Sequence, residues 1–133
     1  MKPETRLMAK PMQQQVTIYH NPKCSKSRQA LSLLRANGVE PELIEYLKQP
    51  LDTKQVRELI GRLGISPHDL VRTKDTAYKK LKLSPSSTTD EIAKAIAENP
   101  ILLERPVVVS GRMGIIGRPP ERVLSLLRRS RRK

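Results

Sequence analysis

The order of hydrophobic periods between Val16 and Tyr46 constrains this fold more than any other feature of the chain. Val16, Thr17, Ile18 and Tyr19 are β-branched or aromatic and favour an extended strand. Asn21-Pro22 ends it, because proline biases its predecessor away from helix and suits a turn. A helix is predicted to start near Cys24 or Ser25. Ser27, Ala30, Leu31 and Leu34 recur at three- and four-residue spacing, and Asn37-Gly38 supplies the left-handed residue that closes many helices. Pro41 then precedes Glu42-Leu43-Ile44-Glu45-Tyr46, whose alternation reads as a second strand. Two strands separated by one helix form the parallel crossover, which is right-handed in nearly all sheets.

The remaining segments extend this unit. Asp52 or Thr53 can cap a helix with Val56, Leu59, Ile60 and Leu63 on one face and Gly64 as its stop. Ser66-Pro67 starts a short helix that ends in Asp69-Leu70-Val71-Arg72 and runs into Thr73-Lys74-Asp75. Tyr78, Leu81 and Leu83 lead to the loop Ser84-Pro85-Ser86-Ser87. Thr88 or Thr89 then caps a helix with Ile92, Ala95 and Ile96 inward, ended by Asn99-Pro100. Three consecutive helical segments between strands make an inserted helical lobe. Val107-Val108-Val109 and Met113 to Ile116 read as a hairpin around Ser110-Gly111-Arg112, and Pro119-Pro120 opens a last helix with Val123, Leu124 and Leu127 inward.

Composition narrows the class. The 133 residues suit one domain, and with no Phe and no Trp its core must be built from Leu, Ile, Val and Ala. That favours α/β layers over an aromatic-rich sandwich. Residues 1–15 show no period and read as a disordered N-terminal extension, 16–127 as the folded domain, and 128–133 as a basic C-terminal tail. The net charge of +13 invites a nucleic-acid partner, but the two terminal segments carry seven of those charges, so specific nucleic-acid binding is not expected. A single cysteine excludes an internal disulfide, and His20 and His68 lie too far apart in sequence to suggest a zinc cluster. No apolar run reaches the roughly 18 residues that span a bilayer, and residues 1–15 lack the apolar stretch of a secretory signal. A cytoplasmic monomer with no bound metal or cofactor and no membrane contact is expected.

Cys24 carries the chemistry. It falls at the predicted helix N-terminus, where unpaired N–H groups and the helix dipole favour a negative charge such as a thiolate. Lys23, Lys26, Arg28 and His20 add positive potential, and such surroundings lower a thiol pKa from about 8.5 into the range of roughly 3.5 to 7.5. Cys24 is therefore the expected nucleophile. Ser27 and Arg28 follow one helical turn later, within reach of the thiolate region, with Arg28 as an electrostatic aid. His20 is a candidate to hold or accept the thiol proton.

The loop His20-Asn21-Pro22-Lys23-Cys24-Ser25-Lys26-Ser27-Arg28 resembles the active-site loop of the glutaredoxin-coupled arsenate reductases. Three further segments match in order: Glu45-Tyr46-Leu47, the stretch from Leu70-Val71-Arg72 to Tyr78, and Ile101 to Pro119. The resemblance implies a thioredoxin-like mixed sheet with an inserted helical lobe and a catalytic cysteine that attacks arsenate. By motif it points to Arg72, Arg105 and Arg118 as oxyanion-binding residues, a role that suits the paired donors of guanidinium. It also implies a cis bond at Arg105–Pro106, glutathione as cosubstrate and glutaredoxin as partner. Ser27 stands where thioredoxin and the related Spx regulators of RNA polymerase carry a second cysteine, so an internal dithiol switch is excluded. A Spx-like polymerase-binding protein, or a glutathione-dependent thiol reductase without arsenate specificity, are the alternative expectations.

Overall fold

The computed structural model describes residues 15–132, with side chains described to residue 127. Strand β1 (Val16–His20) leads through the Cys24 loop to helix α1 (Ser25–Ala36) and strand β2 (Glu42–Glu45). The lobe follows as α2 (Thr53–Leu63), a 3-10 turn at Pro67–Leu70, α3 (Thr76–Lys80), α4 (Thr89–Glu98) and a second 3-10 turn at Pro100–Leu102. Strands β3 (Val107–Ser110) and β4 (Met113–Ile116), a 3-10 turn at Pro120–Arg122 and helix α5 (Val123–Arg132) complete the chain.

The sheet order is β2-β1-β3-β4, with β1 parallel to β2 and antiparallel to β3, and β3 antiparallel to β4. This is the mixed thioredoxin-like sheet expected, and the lobe lies between β2 and β3 in the chain. Alternation along β3 divides the core. Val108 packs with Val16, Ile18, Ala30, Leu31, Leu34, Val123 and Leu126 under α1 and α5, whereas Val107 and Val109 pack with Val56, Leu59, Leu70, Ile92 and Ile96 of the lobe. Each aliphatic side chain so enclosed stabilises the fold by about 1.5–3 kcal/mol before entropy is counted. The four predicted inward residues of α1, Ser27, Ala30, Leu31 and Leu34, are the buried ones.

Local signals at the helix ends behave as their chemistry requires. Asp52 and Thr88 cap α2 and α4, each with a reciprocal bond from the third residue of the helix, Gln55 and Glu91. Gly64 closes α2 at φ +64°. Two expectations change. Residues 76–80, read as part of a connection, form the short helix α3, because the Asp75 side chain accepts the Ala77 N–H and starts a turn. Arg72 does not end a helix. The preceding turn stops at Leu70, Val71 is extended and pairs with Leu103 as an isolated antiparallel bridge, and Arg72 follows it.

The extension expected for residues 1–15 lies outside the described residues except at residue 15. In the basic segment 128–133, the backbone of α5 continues through Arg132.

Candidate active site

Cys24 is the N-cap of α1, with extended backbone at φ −96° and ψ 122°. Its own N–H donates to the Asn21 carbonyl at 2.9 Å and its carbonyl accepts the Arg28 N–H at 3.0 Å, which locks the turn between strand and helix. Its thiol makes no conventional capping bond. Burial pushes the thiol pKa up, but the Ser27 N–H, the Arg105 guanidinium and the Lys26 N–H together outweigh that and hold it below its ordinary value. The helix-terminal N–H groups act as predicted. The cation is a different one: Arg105 reaches the sulfur from the far side of the sequence, while Lys23, Lys26 and Arg28 are exposed.

Arg28 instead braces the loop, its Nη1 donating to the Pro22 carbonyl at 2.8 Å. His20 is buried beneath the loop, and its Nδ1 lies 2.7 Å from the Ser27 hydroxyl rather than against the thiol. Ser27, fully buried, also accepts the Asn21 N–H at 3.1 Å. The hydroxyl keeps its proton and a second lone pair, so the direction of its bond with Nδ1 is set by the His20 tautomer. Burial is the main reason that the His20 pKa is lowered, with Arg35 and Arg28 adding to the effect and Glu45 opposing it. His20, Ser27 and Asn21 thus form one buried support for the loop that carries Cys24.

The arginines converge from three elements. Arg72 is placed by the Val71–Leu103 bridge, in which the Arg72 N–H donates to the Leu102 carbonyl at 2.8 Å and the Glu104 N–H to the Leu70 carbonyl at 2.7 Å. Arg105 follows Glu104, and the Arg105–Pro106 bond is cis, as the resemblance implied. Arg118–Pro119 is cis as well. Gly117 packs so tightly that a Cβ there would approach Pro106 and Val123 to 3.1 Å each, and its N–H donates to the Pro106 carbonyl at 2.8 Å. Arg118, next in the chain, donates from Nη1 to the Arg105 carbonyl at 3.3 Å. Arg105 is largely enclosed, and its Nε–H is buried with no acceptor among the described residues.

Two neighbours went unrecognised as site residues in the sequence. Tyr46 is 1% exposed, yet its hydroxyl feels Arg105, Arg72 and Cys24 and stands in hydrogen-bonding position to the Asn21 side chain. Burial is the largest influence on it and raises its pKa, so the phenol stays protonated. The signal was the strand register: His20 pairs with Glu45 in a parallel ladder, so the next residues, Asn21 and Tyr46, leave the same end of the sheet together. Glu104 is the second, and its carboxylate lies 3.9 Å from Arg105 Nη1 and 3.8 Å from Arg118 Nη1. Nothing in its local sequence separates it from a surface glutamate. Among the described residues no cluster of histidine, cysteine or carboxylate side chains is arranged to hold a metal ion.

A cysteine at a helix N-terminus, its thiol pKa held down and the enclosed Arg105 guanidinium beside it, has the parts to hold a tetrahedral oxyanion and attack it. Comparison with known proteins agrees with that chemistry. The ArsC family profile matches residues 19–126. The chain is 49% identical over 118 residues to the uncharacterized protein YfgD of Escherichia coli K12, covering 87% of this chain and 99% of that one. It is 41% identical over 115 residues to the arsenate reductase of Neisseria meningitidis serogroup A, covering 85% and 98%. The solved arsenate reductase of Vibrio cholerae superposes with a TM-score of 0.81 at 41% identity, covering 84% of this chain and 97% of that one.

Proposed function

This chain belongs to the ArsC family, and on that premise we propose that it is an arsenate reductase that works through a Cys24 thiolate. The observation that carries the reading is the pairing of the thiol with Arg105: the guanidinium favours the charged sulfur while its buried Nε–H is left without an acceptor. A buried unpaired donor is costly, of order 1–3 kcal/mol, and an oxyanion oxygen beside Cys24 would satisfy it. Arg72 and Arg118 add charge and donors to the same cleft, and Tyr46 adds a protonated hydroxyl.

In this reading the Cys24 sulfur attacks arsenic, an S–As bond forms, and one oxygen leaves as water after taking up protons. Arsenic is still pentavalent at that point. Glutathione then attacks the arsenic-bound sulfur of Cys24, and the two thiols become one mixed disulfide while arsenic takes the two electrons and leaves as arsenite. Because Cys24 is the only cysteine, a thiol from outside the chain must reduce that disulfide, and glutaredoxin fits the requirement. His20 and Ser27 position the loop, and Arg28 braces it. The enzyme works as a cytoplasmic monomer. Among the described residues no helix is long and apolar enough to cross a membrane.

The test is arsenite production from arsenate with glutathione, glutaredoxin and NADPH-coupled recycling. Cys24→Ser should abolish it with the fold intact. Alanine at Arg72, Arg105 or Arg118 should weaken arsenate capture far more than alanine at Arg131. Turnover with glutathione and glutaredoxin on other disulfides, but none on arsenate, would replace this reading by a thiol reductase. Binding to RNA polymerase without turnover would replace it by a regulator.

A further inference from the structure

We propose that Glu104 is a positioning residue that serves as the cleft's internal counter-ion and shifts its preference from doubly charged toward singly charged tetrahedral oxyanions. The inference rests on the oxyanion-cleft reading above. Its basis is where the carboxylate sits. The Glu104 backbone is pinned by its N–H bond to the Leu70 carbonyl at 2.7 Å, and its Oε1 accepts the Arg105 N–H at 3.2 Å. The same oxygen then lies 3.9 Å from Arg105 Nη1 and 3.8 Å from Arg118 Nη1. Those separations are inside ion-pair range but beyond the 2.7–3.2 Å of a typical N–H···O bond. Glu104 therefore holds two like-charged guanidinium groups together without consuming their donors. An entering oxyanion can take those hydrogen bonds without first displacing the carboxylate.

The charge count follows from the same placement. Three arginines, one carboxylate and the Cys24 thiolate leave the cleft with a single net positive charge, and without Glu104 it carries two. The Glu104 side chain is 25% exposed, so its field is only partly screened. An anion seated on Arg105 and Arg118 meets that field within a few ångströms, and each further negative charge on the anion is repelled by it. Discrimination by charge number is the expected result, independent of ligand shape.

Sulfate and perchlorate are tetrahedral, unreactive toward the thiol at neutral pH, and permanently doubly and singly charged. The experiment measures how well each protects Cys24 from alkylation by iodoacetamide, a neutral reagent, in the full chain and in Glu104→Gln, Glu104→Ala and Glu104→Asp. Glu104→Gln should bind sulfate about tenfold more tightly than the native chain while perchlorate changes by less than about threefold. Glu104→Ala should move the sulfate-to-perchlorate ratio in the same direction, so one folded neutral variant suffices. Glu104→Asp, which restores the charge, should keep the native ratio. A purely structural role would weaken both anions alike and leave the ratio unmoved, and that outcome overturns the proposal. If neither anion protects the native chain and Arg105→Ala changes nothing, the oxyanion cleft itself is wrong and the Glu104 inference falls with it. Protection of the native chain with an unchanged ratio in the neutral variants refutes Glu104 alone.

Discussion

Removing the Ser27 hydroxyl should destabilise the protein by about 2–4 kcal/mol while leaving the thiolate environment of Cys24 in place. Ser27→Ala keeps Cβ and the helix, so packing changes little. It strips a partner from His20 Nδ1, 2.7 Å away, and from the Asn21 N–H, 3.1 Å away. Ser27 is fully buried and His20 5% exposed, so water cannot replace the bond without opening the loop. Each orphaned group costs roughly 1–3 kcal/mol, the lower end applying to the part-buried amide. For a domain of this size, 1 kcal/mol moves the melting temperature by about 3–5 °C, so a fall of roughly 8–15 °C is expected in a thermal melt. A double-mutant cycle isolates the bond: His20→Leu in the Ser27→Ala background removes the orphaned ring nitrogen, and the paired change should cost at least about 1 kcal/mol less than the sum of the single ones. The Ser27 and Lys26 N–H groups and Arg105 survive in Ser27→Ala, so Cys24 alkylation in the folded variant should stay close to the native rate. A drop below about 2 °C, or a cycle additive within about 0.5 kcal/mol, would refute the buried His20–Ser27 support.

Three further outcomes follow from the same geometry. Cys24 should be alkylated faster at pH 7 than a free thiol of pKa about 8.5; Arg105→Ala should slow it while Arg28→Ala should not, and the reverse pattern would return the thiolate's cation to the local loop. His20 has a folded pKa below its ordinary value, mainly through burial. The unfolded chain therefore binds that proton first, and stability present above about pH 6.5 is lost as pH falls below it. Urea titrations between pH 8 and 5 should show a flatter loss in His20→Leu than in the native protein, and parallel losses would deny His20 this role. Burial raises the pKa values of Tyr46 and Tyr19, so both phenols should ionise above the ordinary tyrosine range in an ultraviolet pH titration of the folded protein; Tyr46→Phe should remove one such late step.

Sequence alone determined what is local or periodic. A strand, proline turn and helix N-terminus around Cys24 follow from residues within a few positions of one another, as do the glycine stop at Gly64 and the capping boxes at Asp52 and Thr88. The parallel crossover followed because one helix between two strands permits little else. Arg72, Arg105 and Arg118 were singled out through likeness to a family, with Pro106 and Pro119 marking the turns beside two of them. Tertiary structure decided which groups meet. Arg105 and not Lys23, Lys26 or Arg28 faces the thiol, because β3 runs antiparallel beside β1 and its start, just after Arg105, lies at the Cys24 end of the sheet. His20 turned toward Ser27 because both are on the buried side of the loop, a choice that local sequence across a separation of seven positions cannot specify. Glu104 became the partner of two arginines because the Val71–Leu103 bridge and the close approach of Gly117 to Pro106 bring three distant segments to one place, and contacts of that sequence separation are set by packing rather than by local propensity.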